Sequence, residues 1–204
     1  LYDIGRAKSE RARGREYWTY NGSRPYLGVV AMEAPAADPR PVMWASFKEG
    51  IPTFFSWHSV HWRHNAQKPG ERNQNVWASP ITFDNRGQPH KDDTGYAYGD
   101  GVLIYPGEDR LHPEEDRGIP GPISTVNLAN YRRGLQDHLY LTLARRAGLA
   151  ALVEEALRTL LPRVFSAAGE KVGYSEVGDD YEARRLKVGR AVAPPHPRDT
   201  RPPG

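Results

Sequence analysis

The stretch Gly99-Asp100-Gly101-Val102-Leu103-Ile104-Tyr105-Pro106-Gly107, together with the sequence after it, predicts the fold class of this chain. Val102 to Tyr105 is a short apolar run between Gly and Pro-Gly, which is typical of a strand buried on both faces of a sheet. A long helical pattern follows at about Thr125 to Ala147. Because helices cover parallel sheets, the strand and the helix together predict a βα unit of an α/β fold rather than a hairpin.

Two further strands are predicted, near residues 16–20 and 53–57. Both contain aromatic residues and Thr, and the first ends at Asn21-Gly22, a typical start of a loop. We expect both strands to run parallel to a strand at residues 101–105. The intervening residues 58–98 show no sustained period and are rich in Asn, Gln, Gly, Pro and His, so they are predicted to form a long loop.

Three more helices are predicted from apolar spacing and from residues that end helices. They lie at Val42 to Glu49, which ends at Gly50, at residues 149–161, and at Tyr181 to Val192 after an Asp179-Asp180 cap. The long helix carries an apolar series at the spacing of one helix face, composed of Leu128, Tyr131, Leu135, Leu139 and Leu143.

The composition limits the classes of protein to which the chain can belong. Its 204 residues are enough for one domain with a core, and 28 Lys and Arg against 25 Asp and Glu give a net charge of only +3. No Cys is present, which excludes disulfides and thiol catalysis, and no apolar run approaches the ~20 residues that span a bilayer. Residues 193–204 contain five Pro and are predicted to form a disordered tail after a domain at residues 1–192.

Several motifs resemble those of one known family. The pattern Gly-Asp-Gly-x-Leu-x-Tyr-Pro-Gly at residues 99–107, followed by Arg132-x-Gly134-x-x-Asp137-x-x-Tyr140, is similar to the C-terminal part of the glycoside hydrolase family 123-like catalytic domain, also described as domain of unknown function 4091. The resemblance covers about residues 16–147. Its upstream motifs are Glu16-Tyr17-Trp18-Thr19-Tyr20, Trp44-x-x-x-Lys48-x-Gly50-Ile51 and Phe54-Phe55-x-Trp57.

The resemblance implies the C-terminal portion of a (β/α)8 TIM-type barrel, with about three of its parallel strands. A complete barrel typically needs about 250 residues, so we expect the N-terminal half of the domain to lie outside this chain. Family members include β-N-acetylgalactosaminidases with a substrate-assisted retaining mechanism that uses an adjacent Asp-Glu pair. This sequence has no Asp-Glu dipeptide, so no catalytic residue is carried over and the chain is expected to be inactive alone. The resemblance also favours a secreted or periplasmic location.

The resemblance has departures that leave the subfamily and the substrate open. Asn127 stands where relatives usually have Arg, and Gln136 and His138 stand where relatives favour Glu and Tyr.

Candidate substrate-binding residues follow the predicted strands, because loops after barrel strands form the active-site face. Sugars present apolar C–H faces that stack on aromatic rings, and hydroxyls that need hydrogen-bond partners. The residues that fit this description are Tyr20, Asn21, Trp57, His58, Trp62 and Tyr105. The expected partner is an oligosaccharide or glycoside, with no nucleic acid, membrane or cofactor.

Some polar residues near these positions have alternative interpretations. His58, His61 and His64 recur every three residues, which is compatible with a zinc site, but no carboxylate ligand lies nearby in sequence and no metal is expected. Asp100 lies between two glycines and is interpreted as a turn residue. Asp137, on the long helix, is interpreted as structural.

A second class of function stays open from the sequence. A non-catalytic carbohydrate-binding or scaffold protein could keep the same barrel without the acid pair. A nucleic-acid-binding module would need a basic stripe, which the distribution of Arg and Lys does not provide.

Overall fold

The computed structural model describes residues 3–20, 27–32, 34–62, 74–84, 96–110, 112–164 and 173–193. These residues form helices combined with three small two-stranded sheets, so the chain is α/β. The elements in chain order are α1 (Ile4–Ala12), β1 (Thr19–Tyr20), α2 (Pro39–Glu49), β2 (Phe54–Phe55), β3 (Ile81–Asp84), β4 (Tyr96–Tyr98), β5 (Ile104–Pro106), a 3-10 turn (Pro113–Glu115), β6 (Pro122–Ser124), α3 (Val126–Arg146), α4 (Ala150–Leu160) and α5 (Gly178–Val192).

Strands β1 and β2 pair in parallel, as the sequence predicts, although each is shorter than the predicted segment. Thr19 lies opposite Phe54, and Tyr20 lies opposite Phe55. Helix α2 connects the two strands in sequence, which makes a β-α-β unit. The helix ends at Gly50, whose left-handed φ of 63° suits glycine at this position. The carboxyl ends of β1 and β2 therefore lie side by side.

The prediction of a third parallel strand, at residues 101–105, is wrong. The strand lies at β5 rather than at Val102 to Tyr105, and it pairs antiparallel with β6. Positive φ angles at Gly99 and Gly101 form a turn in which the Val102 amide donates to the Gly99 carbonyl. Val102 takes part in this turn and in a bridge to Val60, and the strand begins only at Ile104. The predicted βα unit is therefore an antiparallel strand pair followed by α3.

A second antiparallel pair was not predicted. Strands β3 and β4 lie within residues 58–98, the segment that the sequence predicts to be a loop. Only four and three residues long, they are too short to give a recognisable apolar period.

The predicted helices are present with small changes at their ends. Thr125 caps α3, because its hydroxyl accepts a hydrogen bond from the Leu128 amide and donates one to the Leu103 carbonyl. This cap ties the start of α3 to the backbone next to β5. Helix α5 begins earlier than predicted, so Asp179 and Asp180 lie in its first turn instead of forming the cap.

Only the start of the apolar series predicted for α3 faces the core, where Tyr131 is buried and Leu128 packs against the core. Leu135, Leu139 and Leu143 are 54%, 63% and 49% exposed. The buried face is turned away from these leucines and consists of Tyr131, Gly134, Asp137, Leu141 and Ala144. Gly134 explains why this face packs against α2, because a Cβ at this position would lie 2.8 Å from the Arg40 carbonyl oxygen of α2. The two helices thus pack too closely for a leucine at the contact.

The charged centre of the α2–α3 contact is Asp137. Its carboxylate accepts hydrogen bonds from Arg40 Nε at 2.6 Å, Arg40 Nη2 at 3.1 Å and Trp44 Nε1 at 2.8 Å. Helix α5 joins the group through Glu182, which also accepts from Arg40, and Arg185, whose Nε lies 3.3 Å from Asp137. Burial by itself lowers the pKa of Arg40, but the hydrogen bonds and charges of Asp137 and Glu182 hold it above the ordinary value.

Apolar side chains from four helices surround this ionic group. Trp44 of α2 meets Tyr181 of α5 edge to face at 5.6 Å, and Leu141, Leu157 and Leu160 are buried beside them. Within the part of the chain that is described, no helix is both long and apolar enough to cross a membrane. The predicted tail from residue 194 onward lies outside the described residues, and the domain boundary at residue 192 stays a prediction.

Candidate functional site

The carboxyl ends of β1 and β2 present two stacked aromatic rings. Tyr20 and Phe55 are neighbours in the parallel register, and their rings lie 5.5 Å apart at 21°. Both side chains are exposed. Partial burial and the nearby charge of Asp100 raise the pKa of Tyr20 above its ordinary value, so its hydroxyl stays protonated and able to donate. Asn21, the next predicted residue, lies outside the described residues.

A cluster of three rings follows β2. The Trp57 ring lies 4.2 Å from the His58 ring and 4.7 Å from the His61 ring, and the two imidazoles stack at 4.9 Å. The cluster packs on Gly101, where a Cβ would come within 3.0 to 3.2 Å of all three residues. The glycine of the sequence motif is therefore needed for close approach as well as for its positive φ. We call Trp57, His58 and His61 the ring cluster.

His58 has a backbone conformation that is rare for its residue type. Its φ is +57°, the left-handed region, and no other non-glycine residue has a positive φ in the seven described ranges. Such conformations cost of order 1–3 kcal/mol and are found most often at functional sites. The surrounding contacts with Trp57 and Gly101 hold this conformation in place.

Tyr131 of α3 packs against Phe54 of β2, with the ring centroids 5.6 Å apart. Burial raises the pKa of Tyr131 well above its ordinary value, and the charges of Asp100 and Asp38 raise it further. Ser56 is close enough to oppose this rise, yet no well-aligned hydrogen bond reaches the Tyr131 hydroxyl. The charge of Asp100 raises the pKa of Tyr20 as well, so this one carboxylate acts on both tyrosines.

Trp62 and Tyr105 lie in a second group. Beside it, two chain segments meet in an antiparallel bridge between Val60 and Val102, where the His61 amide donates to the Gly101 carbonyl. Trp62 donates its indole N–H to the Ile104 carbonyl at 2.8 Å. The structure thus divides the predicted residues between the two groups.

Tyr105 stacks on an aromatic residue that the sequence did not single out as a site residue. Its ring lies 4.6 Å from the ring of Trp77, and the Arg117 guanidinium lies 4.6 Å from the Trp77 centroid. Partial burial raises the pKa of Tyr105. The Tyr105 ring is therefore covered by Trp77.

A cavity of about 230 Å³ opens at the carboxyl end of β5. Asp109 is buried in its wall, where its Oδ1 accepts the His112 amide at 2.8 Å. Glu108 precedes it and is exposed. The residues that line the cavity are Trp62, Gln74, Val76, Pro106, Glu108, Asp109, Arg110 and His112.

Sequence reasoning missed Phe55, Trp77, Tyr131 and the Glu108-Asp109 pair as site residues. The two acids carried a usable signal, since they follow Tyr105-Pro106-Gly107 directly at the end of a predicted strand. The other three depend on pairing partners that are distant in sequence. Among the described residues, no group of three or more His, Cys, Asp or Glu side chains is arranged to hold a metal ion.

Comparison with known proteins finds a likeness in structure and none in sequence. No protein-family model and no curated protein matches the sequence. The structure matches a family 123 glycoside hydrolase from Clostridium perfringens, described for glycolipid glycan hydrolysis, with a TM-score of 0.51. The fold resembles that of a family 123 glycoside hydrolase. The match has 16% identity and covers 93% of this chain but only 29% of the solved chain, so this chain spans less than a third of that length.

Proposed function

We propose that this chain is the C-terminal part of a glycoside hydrolase-like domain and that the ring cluster, with Tyr20 and Phe55, forms one wall of its glycan site. The observation that carries the proposal is the position of exposed aromatic rings at the adjacent carboxyl ends of two parallel strands. Ligands of folds with parallel strands bind at this end of the strands. The similarity in fold to a glycoside hydrolase agrees with this choice.

The chemistry of the wall suits a sugar. Tyr20 and Phe55 expose ring faces on which the C–H face of a pyranose can stack. The exposed imidazole of His58 supplies ring nitrogen atoms for hydrogen bonds to hydroxyls. A glycan site needs both kinds of contact, apolar faces and directional polar groups.

The finer proposal is a (β/α)8 barrel with a substrate-assisted retaining mechanism on a β-N-acetylgalactosaminide. In that mechanism a Glu protonates the leaving oxygen while an Asp orients the acetamido group of the substrate. We place this acid pair in sequence upstream of this chain, which has no Asp-Glu dipeptide. The candidate from another class is a non-catalytic glycan-binding protein with the same rings, and the absence of an acid pair from the parent protein would favour it.

Binding of a glycan to residues 1–204 tests the proposal. We expect Trp57→Ala to weaken the binding of an N-acetylgalactosamine-terminated oligosaccharide roughly threefold to tenfold, because aromatic contacts are worth about 0.5–1.5 kcal/mol. Isothermal titration calorimetry gives the affinity.

A matched control for this substitution is Trp18→Ala. Trp18 is an exposed tryptophan beside β1 whose indole N–H bonds to Glu16, and it belongs to none of the ring contacts described above. Equal affinity of the wild type and the Trp57 variant, or equal losses in both variants, would reject the ring cluster as the site.

A further inference from the structure

The cavity at the end of β5 is separate from the ring cluster and has its own set of binding groups. Trp62 lies in its wall, and because its indole N–H is already bonded to the Ile104 carbonyl, Trp62 offers a ligand mainly its ring. Gln74 is oriented by hydrogen bonds from its amide nitrogen to the Ser79 and Ile81 carbonyls. The Asp109 carboxylate is held by the His112 amide. These side chains are therefore positioned before any ligand arrives.

The charges that line the cavity exclude simple ions. An anion would face the carboxylates of Glu108 and Asp109. A metal ion would face Arg110, and although His112 also lines the cavity, no three His, Asp or Glu side chains of the described residues are arranged to hold one. The mixture of two carboxylates, one guanidinium and a ring suits a neutral ligand with several hydroxyl groups and one apolar face. Carboxylates and Arg form charge-assisted hydrogen bonds with such hydroxyls.

The size of the cavity limits the ligand to one small ring. Its volume of about 230 Å³ lies below the ~300–1,000 Å³ typical of sites for drug-sized molecules. A single pyranose combines this size with one C–H face and a rim of hydroxyls. The chain that connects Trp57 to Trp62 runs beside Gly101–Ile104, so the cavity and the ring cluster share this backbone.

We propose that this cavity is a second sugar-binding subsite, which holds one pyranose of a glycan whose other residues lie outside it. Only the choice of a glycan as the natural ligand rests on the proposed function. The groups that recognise the pyranose are the Trp62 ring together with Glu108, Asp109 and Arg110. The substrate would then be an oligosaccharide rather than a single glycoside.

Tryptophan indole signals in a nitrogen–proton correlation spectrum test the subsite directly. The chain has five Trp residues, so five indole N–H signals are expected, and Trp→Phe variants assign them. We expect methyl β-galactopyranoside to shift the Trp62 signal in a saturable way. Sorbitol, which has hydroxyls but no ring face, should leave that signal in place, and an equal shift with sorbitol would overturn the proposal.

Charge-neutral variants identify the groups that bind. Glu108→Gln should weaken the affinity measured at Trp62 about tenfold, because it removes a charge-assisted hydrogen bond worth about 1.5 kcal/mol or more. Glu154→Gln makes the same change in charge at an exposed side chain of α4, which pairs with Arg145 and does not line the cavity, and should have no effect. Equal affinity in the wild type and the Glu108 variant would overturn the assignment of this carboxylate.

The same spectra separate this proposal from the proposed function. Trp18→Ala, at an exposed tryptophan that belongs to neither group, should leave the Trp62 response to the pyranoside unchanged. If an N-acetylgalactosamine-terminated oligosaccharide shifts only the Trp57 signal, the subsite is rejected and the ring cluster stands. If sugars shift only the Trp62 signal, the subsite stands and the ring cluster is rejected. If no sugar shifts either signal, both are rejected.

Discussion

Asp137 is the single residue whose loss we expect to cost most stability. Its side chain is buried and holds Arg40 and Trp44 of α2. Asp137→Ala leaves the Arg40 guanidinium buried without its main partner, which typically costs about 3–5 kcal/mol. Urea unfolding measures the change. Arg132→Ala, an exposed change on the same helix, should stay within about 0.5 kcal/mol of the wild type.

Equal stability in these two variants would contradict the buried ion pair. In that case Glu182, which accepts a hydrogen bond from Arg40 at 3.0 Å, would be sufficient to balance the charge of Arg40.

His138 predicts how stability depends on pH near neutrality. Partial burial against Phe47, whose ring lies 5.2 Å away, lowers the pKa of His138 below its ordinary value of 6.5. The unfolded chain then binds a proton more readily than the folded chain, so stability is fully present above pH 6.5 and falls as the pH drops below it. His138→Phe keeps an aromatic ring and cannot titrate.

The free energy of unfolding between pH 7 and pH 5 tests this expectation. The wild type should lose more stability over this interval than the His138→Phe variant, and parallel curves would contradict it. Glu182 does not interfere, because although burial raises its pKa, the hydrogen bonds of Arg133 and Arg40 hold it below 4.5.

At the scale of elements, the contact between α2 and α3 depends on a glycine inside a helix. Replacing a helix-interior glycine with alanine usually stabilises a protein by about 1 kcal/mol. At Gly134 the new Cβ would lie 2.8 Å from the Arg40 carbonyl oxygen and 2.9 Å from Met43 Cγ, so the helices would have to separate. We expect Gly134→Ala to destabilise the fold by about 1–3 kcal/mol in thermal or urea unfolding.

Gly5→Ala in α1 is the matched control. Its nearest neighbour, Asp3 Oδ1, would lie at an ordinary 3.4 Å, so this variant should be no less stable than the wild type. A stabilising Gly134→Ala substitution would show that the two helices are not held at this distance.

The exposed leucine face of α3 gives a second prediction about an element. Leu139→Ser should change stability by no more than about 0.5 kcal/mol, because the side chain already faces solvent. Leu141→Ala, two residues along the helix and 1% exposed, should cost about 2–5 kcal/mol. A loss at Leu139 as large as at Leu141 would show that another surface covers this face in solution.

At the scale of the whole molecule, the described strands form three separate pairs rather than one continuous sheet. Closing a barrel requires each strand to pair on both sides. The described strands therefore do not close a barrel by themselves.

We predict that residues 1–204 do not hydrolyse an aryl β-N-acetylgalactosaminide, while they retain the glycan binding proposed above. General acid–base catalysis is typically worth 10²–10⁴-fold in rate, and the proposed acid pair lies outside this sequence. Release of the aryl alcohol, followed by absorbance, measures turnover. Turnover that disappears in Glu108→Gln or Asp109→Asn would place the acids in this chain and contradict the prediction.

The sequence alone was sufficient for the local features. The Gly50 helix end, the helical spacing of residues 149–161 and the extended segments near Tyr20 and Phe55 follow from backbone preferences and short-range periodicity. These features depend on neighbours within a few residues, and the sequence contains that information directly.

Only the tertiary structure decided the features that need distant partners. The pairing of β5 with β6 depends on where the chain returns after Pro106. The buried face of α3 depends on its fit to α2 at Gly134 and on the charge of Arg40. The division of the predicted ring residues into a cluster and a cavity depends on the bridge between Val60 and Val102. Periodicity within one segment cannot predict the strand partner or the buried helix face, because each depends on the part of the chain that packs against that segment.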